Sequence, residues 1–261
     1  MWGSRTYVFG VLNVTPDSFS GDGLLDPGRA LERALAMRAE GADIVDVGGE
    51  STRPGHVPIE ATEELRRVEP VLRALVRDGL VVSIDTRKAS VARRALDLGA
   101  QIVNDVSGLA DPRMASVIVE HSAFAILLDD RDVRGDEDPA GVVRADLAAL
   151  LERALTAGVA RDRTILDPGF GFGKGPRENL AVLRELERMR DLGRPILVGT
   201  SRKGTIGKVL GGAPPEDRVE GTAATVAIAI AKGADAIRVH DVREMARVAR
   251  MADAIVRARL A

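Results

Sequence analysis

The segment Thr164-Ile165-Leu166-Asp167-Pro168-Gly169-Phe170-Gly171-Phe172-Gly173-Lys174 decides how the chain folds. Its aliphatic start has the near-continuous hydrophobicity of a short parallel strand covered on both faces. The strand stops at a carboxylate, and a glycine-rich turn follows that carries two phenylalanines and a lysine. Working outward, apolar runs of the same kind recur at Tyr7–Leu12, Ile44–Val47, Leu80–Ile84, Gln101–Val103, Phe124–Leu128, Pro195–Val198 and Ala236–Val239. Between them, segments such as Pro27–Glu40, Glu60–Asp78, Ala89–Leu98 and Arg177–Asp191 space apolar residues at helical intervals and carry charge on the other face. Gly41, Gly79, Gly99, Gly158, Gly193 and Gly233 each stand just past such a segment, where a left-handed helix cap is wanted. No low-complexity linker divides the chain. Its 261 residues match the roughly 250 of a barrel, so the alternation predicts one α/β domain spanning residues 1–261, a (β/α)8 TIM barrel.

Composition narrows the classes of function. A formal net charge of −2 with 29% charged residues gives no footprint for nucleic acid or an anionic membrane. The absence of cysteine excludes disulfides and thiolate metal sites. Met1–Arg5 lacks the features of a signal peptide, and the longest apolar run, Ala223–Ala231, is too short for a membrane span. A soluble, cytoplasmic protein is expected. The charged stretch Asp129–Asp138 reads as a solvated loop.

Polar residues gather where the strands end. Strand one runs into Asn13, strand two into Gly48–Gly55, strand three into Asp85, strand four into Asn104 and Asp105, strand six into Asp167, strand seven into Ser201–Lys203, and strand eight into Arg238–Asp241. In a barrel these ends converge on one mouth, where catalytic groups sit. Asp85, Asn104, Asp167 and Lys203 supply acceptors and donors for a flat heterocycle with an amide edge and an exocyclic amine. Asn13, Arg53, Arg238 and His240 supply a polar, largely cationic pocket for phosphate or pyrophosphate. The glycines of the 167–174 run, Gly171 among them, let backbone approach a ligand closely. That run lacks the G-x-x-x-x-G-K-[ST] spacing and carries no nucleotide signature.

The blocks Leu12–Ser20 (LNVTPDSFS), Asp46–Gly55 (DVGGESTRPG), Ser83–Lys88 (SIDTRK), Asn104–Gly108 (NDVSG), Ile165–Lys174 (ILDPGFGFGK), Ser201–Lys203 (SRK) and Ile237–Val242 (IRVHDV) resemble the dihydropteroate synthases. These folate-pathway enzymes are the target of sulfonamides. The resemblance implies condensation of a dihydropterin pyrophosphate with 4-aminobenzoate. It implies that Asp85, Asn104, Asp167 and Lys203 are the catalytic set holding the pterin, with Phe172 beside it. It places Asn13, Arg53, Arg238 and His240 on the pyrophosphate, Asn13 on an activating Mg2+, and Thr52 and Pro54 near aminobenzoate. It further implies a homodimer.

Three positions depart from the family pattern. The usual Met-His-Met-like segment after strand five is Leu127-Leu128-Asp129-Asp130 here, so a methionine wall is replaced by Leu128 or by charge. The first loop reads Ser20-Gly21-Asp22-Gly23, and Gly204 follows the SRK motif. Two alternatives stand beside the main reading, a pterin-dependent methyltransferase and a pterin- or anion-binding paralogue without turnover. Several other residues have plainer roles. His56 and His121 are expected in solvent, Arg87 and Lys88 capping a helix or pairing with carboxylates, Asp105 in a structural role, and Asp46 in a turn or barrel layer.

Overall fold

The computed structural model describes residues 2–15, 26–51 and 57–258. Eight parallel strands follow one another: β1 (Tyr7–Asn13), β2 (Ile44–Gly48), β3 (Val82–Asp85), β4 (Ile102–Asp105), β5 (Phe124–Leu128), β6 (Thr164–Asp167), β7 (Leu197–Val198) and β8 (Ala236–Val239). Each pairs with its neighbour in sequence except β6 with β7, and β1 pairs with β8. The seam between β6 and β7 is joined by a parallel bridge at Leu166 and Ile196, where Leu166 N–H donates to the Pro195 carbonyl at 2.9 Å. The sheet is thus nearly closed, as expected of a TIM barrel.

Helices fill the crossovers: α1 (Pro27–Glu40), α2 (Ala61–Arg77), α3 (Ala89–Asp97), α4 (Met114–Glu120), α5 (Pro139–Thr156), α6 (Pro176–Arg184), α7 (Gly204–Val209), α8 (Val219–Ala231) and α9 (Val242–Val256). Their ends follow local chemistry. Asp26 and Asp138 cap α1 and α5 by accepting the N–H groups of Arg29 and Gly141, with proline at the first helical position. Gly41 ends α1 in the left-handed region at φ 114°, and the other five glycines expected at such ends also have positive φ.

The segment 177–191 is not one helix. It breaks at Glu185, and Leu186–Leu192 continues as a 3-10 helix. Leu186, Met189 and Leu192 are its buried residues, and a spacing of three lines up on one face only in that tighter winding.

Strand residues alternate between two cores. Outward-facing Val45, Ile84, Val103, Leu127, Leu166 and Ile237 pack under the helices with Leu72, Val91, Leu147, Val182, Val226 and Met245. Inside the barrel, Phe9, Ile44, Ile102, Ile126, Ile165, Leu197 and Ala236 form a closed apolar plug. Both faces of each strand are covered, which explains the unbroken hydrophobicity of the runs. Because side chains repeat every second residue, the residues two places beyond this plug also point inward. They are Val11, Asp46, Asn104, Leu128, Asp167, Gly199 and Arg238, and Asp85 joins them through its register with Asn104.

Candidate active site

The floor of the mouth is an ion network built on the plug. Arg238 Nε donates to Asp46 Oδ2 and its Nη2 to Asp85 Oδ2, each at 2.6 Å. Asn104 Nδ2 donates to the same Asp46 oxygen at 3.1 Å. Asp46 is fully buried, and Asp85 and Asn104 are nearly so. Burial pushes the Asp85 carboxyl up to about 7, against the pull of the Arg238 charge; the neighbouring Asp46 and Glu64 carboxylates push the same way. The Arg238 guanidinium, itself largely buried, is held charged by Asp46 and Asp85. Three oxygens of this floor remain without a hydrogen-bond partner: Asp46 Oδ1, Asp85 Oδ1 and Asn104 Oδ1. Buried acceptors of this kind are costly unless something donates to them.

Above the floor lies a small cleft lined by Asp85, Asn104, Leu128, Asp167, Phe172 and Lys203, with Arg238 at its base. Asp167 accepts the Gly169 N–H at 2.8 Å, and burial raises its carboxyl to about 6 despite that bond and the nearby Lys203 charge. The Lys203 ammonium lies 4.1 Å from the centre of the Phe172 ring. Arg202 precedes it in the left-handed region at φ 58°, unusual for a side chain of its size. It is fixed by its ion pair to Asp241 at 2.5 Å and by the Arg218 donor on its carbonyl at 2.8 Å. Gly171 fits beneath Lys203, since a Cβ there would stand 3.0 Å from Lys203 Cδ.

The fifth sector is the expected solvated loop over most of 129–138, but not at Asp129 and Val133. Leu128 continues the inward period of Ile126 and forms the apolar wall of the cleft. Asp129 turns the other way and is buried, as is Val133. Asp129 pairs with Lys174 at 3.0 Å, so two charges cancel below the surface. Segment 129–133 lies directly on the 167–174 run: Asp129 N–H donates to the Asp167 carbonyl and Val133 N–H to that of Gly173. The approach requires glycine at positions 169 and 173, both at positive φ. A Cβ on Gly169 would overlap the Asp129 carbonyl oxygen, and one on Gly173 the Arg131 carbonyl oxygen.

Around the rim, Asn13 ends β1 half-buried opposite Gly48. His240 is pinned through Nδ1 to Ser201 Oγ at 3.0 Å, and its backbone N–H donates to the same oxygen at 3.1 Å. Glu50 holds Arg87 and Lys88 at 2.8 and 2.6 Å and accepts the Ile59 N–H, so both basic residues pair with carboxylates as expected. Thr52, Arg53 and Pro54 lie outside the described residues, as do the departing positions of the first loop and His56. Asp105 faces away and accepts the Ser107 and Leu109 N–H groups, a structural role. His121 pairs with Asp97 at the end of α4, partly buried rather than in solvent.

The structure therefore brings Asp85, Asn104, Asp167, Lys203, Gly171, Phe172 and Arg238 together. It joins Arg238 to the carboxylates of the heterocycle half, not to a separate cationic pocket. Two contributors escaped sequence reading. Asp46 could have been found by stepping one strand period beyond Ile44; Ser201 is visible only once β7 and β8 lie side by side.

Residues 9–240 match the family described as pterin binding enzyme. A dihydropteroate synthase of Bacillus subtilis is 48% identical over 255 residues, covering 97% of this chain and 89% of that one. The crystal structure of dihydropteroate synthase from Clostridium difficile in the presence of pteroic acid superposes with a TM-score of 0.93 at 48% identity, covering 98% of both chains. That from Thermus thermophilus is 45% identical, with a TM-score of 0.85 for its complex with 6HMPPP and 0.86 for that with 4-aminobenzoate, covering 96% of this chain and at least 94% of the other. A match of this length in sequence and in fold shows that the chain belongs to the pterin binding enzymes, and among them to the dihydropteroate synthases.

Proposed function

We infer that this chain joins the methylene carbon of a dihydropterin pyrophosphate to the amine of 4-aminobenzoate, releasing pyrophosphate, the dihydropteroate synthase step of folate biosynthesis. The observation that carries the reading is the pair of orphaned buried oxygens on Asp85 and Asn104, two residues that line the cleft. The amide N–H and exocyclic amine of a pterin are donors of the kind those oxygens lack. Lys203, on the facing wall, donates to the ring oxygen or a ring nitrogen. Leu128 and Phe172 supply the apolar contacts expected for a flat ring.

The amine of 4-aminobenzoate is neutral at pH 7, so the barrier lies in departure of the leaving group. The carbon–oxygen bond breaks with its electron pair going to pyrophosphate, the aniline nitrogen bonds to the methylene carbon, and that nitrogen then loses a proton. Arg238 has Nε and Nη2 committed to Asp46 and Asp85, which leaves Nη1 for a phosphate oxygen. His240, held through Nδ1 by Ser201, stands beside it at the rim. Arg53 completes the set. Fixed charges aimed at the developing anion stabilise it without reorganisation. Asp85, joined to Arg238, and Asp167 supply negative charge where positive charge spreads into the ring.

Mg2+ is implied by the family. Among the described residues no group of three or more His, Asp or Glu side chains could hold a metal ion. Asn13 offers one neutral amide oxygen at the rim, a donor that fits an ion arriving on pyrophosphate and keeping several of its waters. Such an ion would neutralise charge on the leaving group.

No helix among the described residues is long and apolar enough to cross a membrane, and we place the activity in the cytoplasm. The test is pteroate formation from pterin pyrophosphate and 4-aminobenzoate, with and without Mg2+. Product is expected from the wild type, and Lys203→Ala should lose at least about tenfold in kcat/KM, roughly 1.4 kcal/mol of transition-state stabilisation. Folded protein that yields no product in either condition would remove the assignment.

A further inference from the structure

Lys174 has a wholly buried side chain and does not itself line the cleft. Its ammonium donates to Asp129 Oδ2 at 3.0 Å, to the Asp129 carbonyl at 3.1 Å and to the Phe172 carbonyl at 3.0 Å. A lysine has three donors, and all are used. One acceptor is the backbone of the residue whose ring carries the Lys203 ammonium.

The run Pro168–Lys174 has glycine at every second position from 169 to 173, and glycine brings no conformational preference of its own. What shapes the run is therefore contact, with segment 129–133 and with the Asp167 and Asn179 side chains, which accept the Gly169 and Gly171 N–H groups. Two backbone bonds fasten its ends, from Asp129 to Asp167 and from Val133 to Gly173. Between them the only side-chain tie to the Phe172 carbonyl among the described contacts is Lys174. The pair holds the run in place, and the Lys174 charge also reaches the Asp167 carboxyl of the cleft, which it pulls down against the stronger push of burial.

We propose that Asp129 and Lys174 form a positioning pair that sets the Phe172 ring, and through it the Lys203 ammonium, for recognition of the pterin. The end of β5 is then a determinant of ring affinity through a salt bridge that never meets the ligand. This rests on the dihydropteroate synthase reading and deepens it.

The experiment compares Lys174→Met and Asp129→Asn with the wild type, well below their melting temperatures and with folding checked by circular dichroism. Each is titrated with 6-hydroxymethylpterin and, separately, with inorganic pyrophosphate, and kcat and KM are measured for 4-aminobenzoate. Pterin affinity should fall at least about tenfold in Lys174→Met and by about threefold in Asp129→Asn, the scale of a small displacement of a binding group. Pyrophosphate affinity should stay within about twofold, since that subsite lies on other strands. A pair that only stabilises the fold would lower the melting temperature and leave both affinities of the folded protein unchanged, which would overturn the proposal. If Lys174→Met does not fold, Asp129→Asn decides, because it removes the charge and keeps an acceptor oxygen. A wild type that binds pterin without forming pteroate would sink the reaction and leave the pair to be judged on binding.

Discussion

In the proposed complex Asp85 and Asp167 meet a ligand whose edge offers N–H donors, so the form that binds is the carboxylate. Burial holds them at about 7 and about 6 in the ligand-free protein. At pH 5 both keep their protons, and a ring that needs acceptors must first displace them. Pterin affinity should therefore rise with pH, by up to about tenfold per unit for each group that releases a proton. It should level off once pH passes about 8, beyond the higher of the two values. Calorimetry with 6-hydroxymethylpterin, which carries no phosphate to titrate, reads this directly. A dissociation constant that stays flat from pH 5 to 8 would mean the ring does not depend on these carboxylates. Asp85→Asn should bind more weakly and show a shallower slope, with the part due to Asp167 remaining. Arg238 is the residue whose role the structure altered most. Its guanidinium pairs with Asp46 and Asp85 at once, so truncating it would strand two buried carboxylates.

β6 shows how an element serves stability and chemistry at once. Thr164 and Leu166 face the helices, Ile165 fills the barrel plug, and Asp167 emerges one period later into the cleft. Ile165→Ala should cost about 2–5 kcal/mol, because the closed ring of neighbours leaves little room to collapse on the cavity. Leu180→Ala, on the exposed side of α6, should cost within about 0.5 kcal/mol. Urea unfolding of the two variants separates them; equal losses would contradict the assignment of Ile165 to a packed interior. The 3-10 segment Leu186–Leu192 carries the same lesson. A charge-rich stretch compatible with α-helix adopted the tighter form because its buried leucines and methionine repeat every third residue.

At the scale of the whole molecule, α8 is apolar nearly all round while only part of it packs on the barrel. Ile228 is about half exposed, and Met251, Ile255 and Val256 of α9 leave further apolar surface uncovered. Such surfaces mark contact with another chain. A homodimer through this face is our reading. Light scattering should give twice the 27.7 kDa mass of the chain, and Ile228→Asp should shift it toward one copy. A monomeric wild type would reject the dimer. The sequence by itself determined the barrel, because eight runs covered on both faces admit few architectures and glycine follows α1, α2, α3, α5 and α8 for a local reason of backbone conformation. It also marked Asp85, Asn104, Asp167 and Lys203, since a strand end that stops at a polar side chain is a local signal. Only the tertiary structure decided that Asp46 and Arg238 share an ion network across β2 and β8, and that Leu128 faces the cleft while Asp129 does not. Register between strands and cancellation of buried charge depend on residues distant in the chain. No local pattern can encode which carboxylate will find which cation.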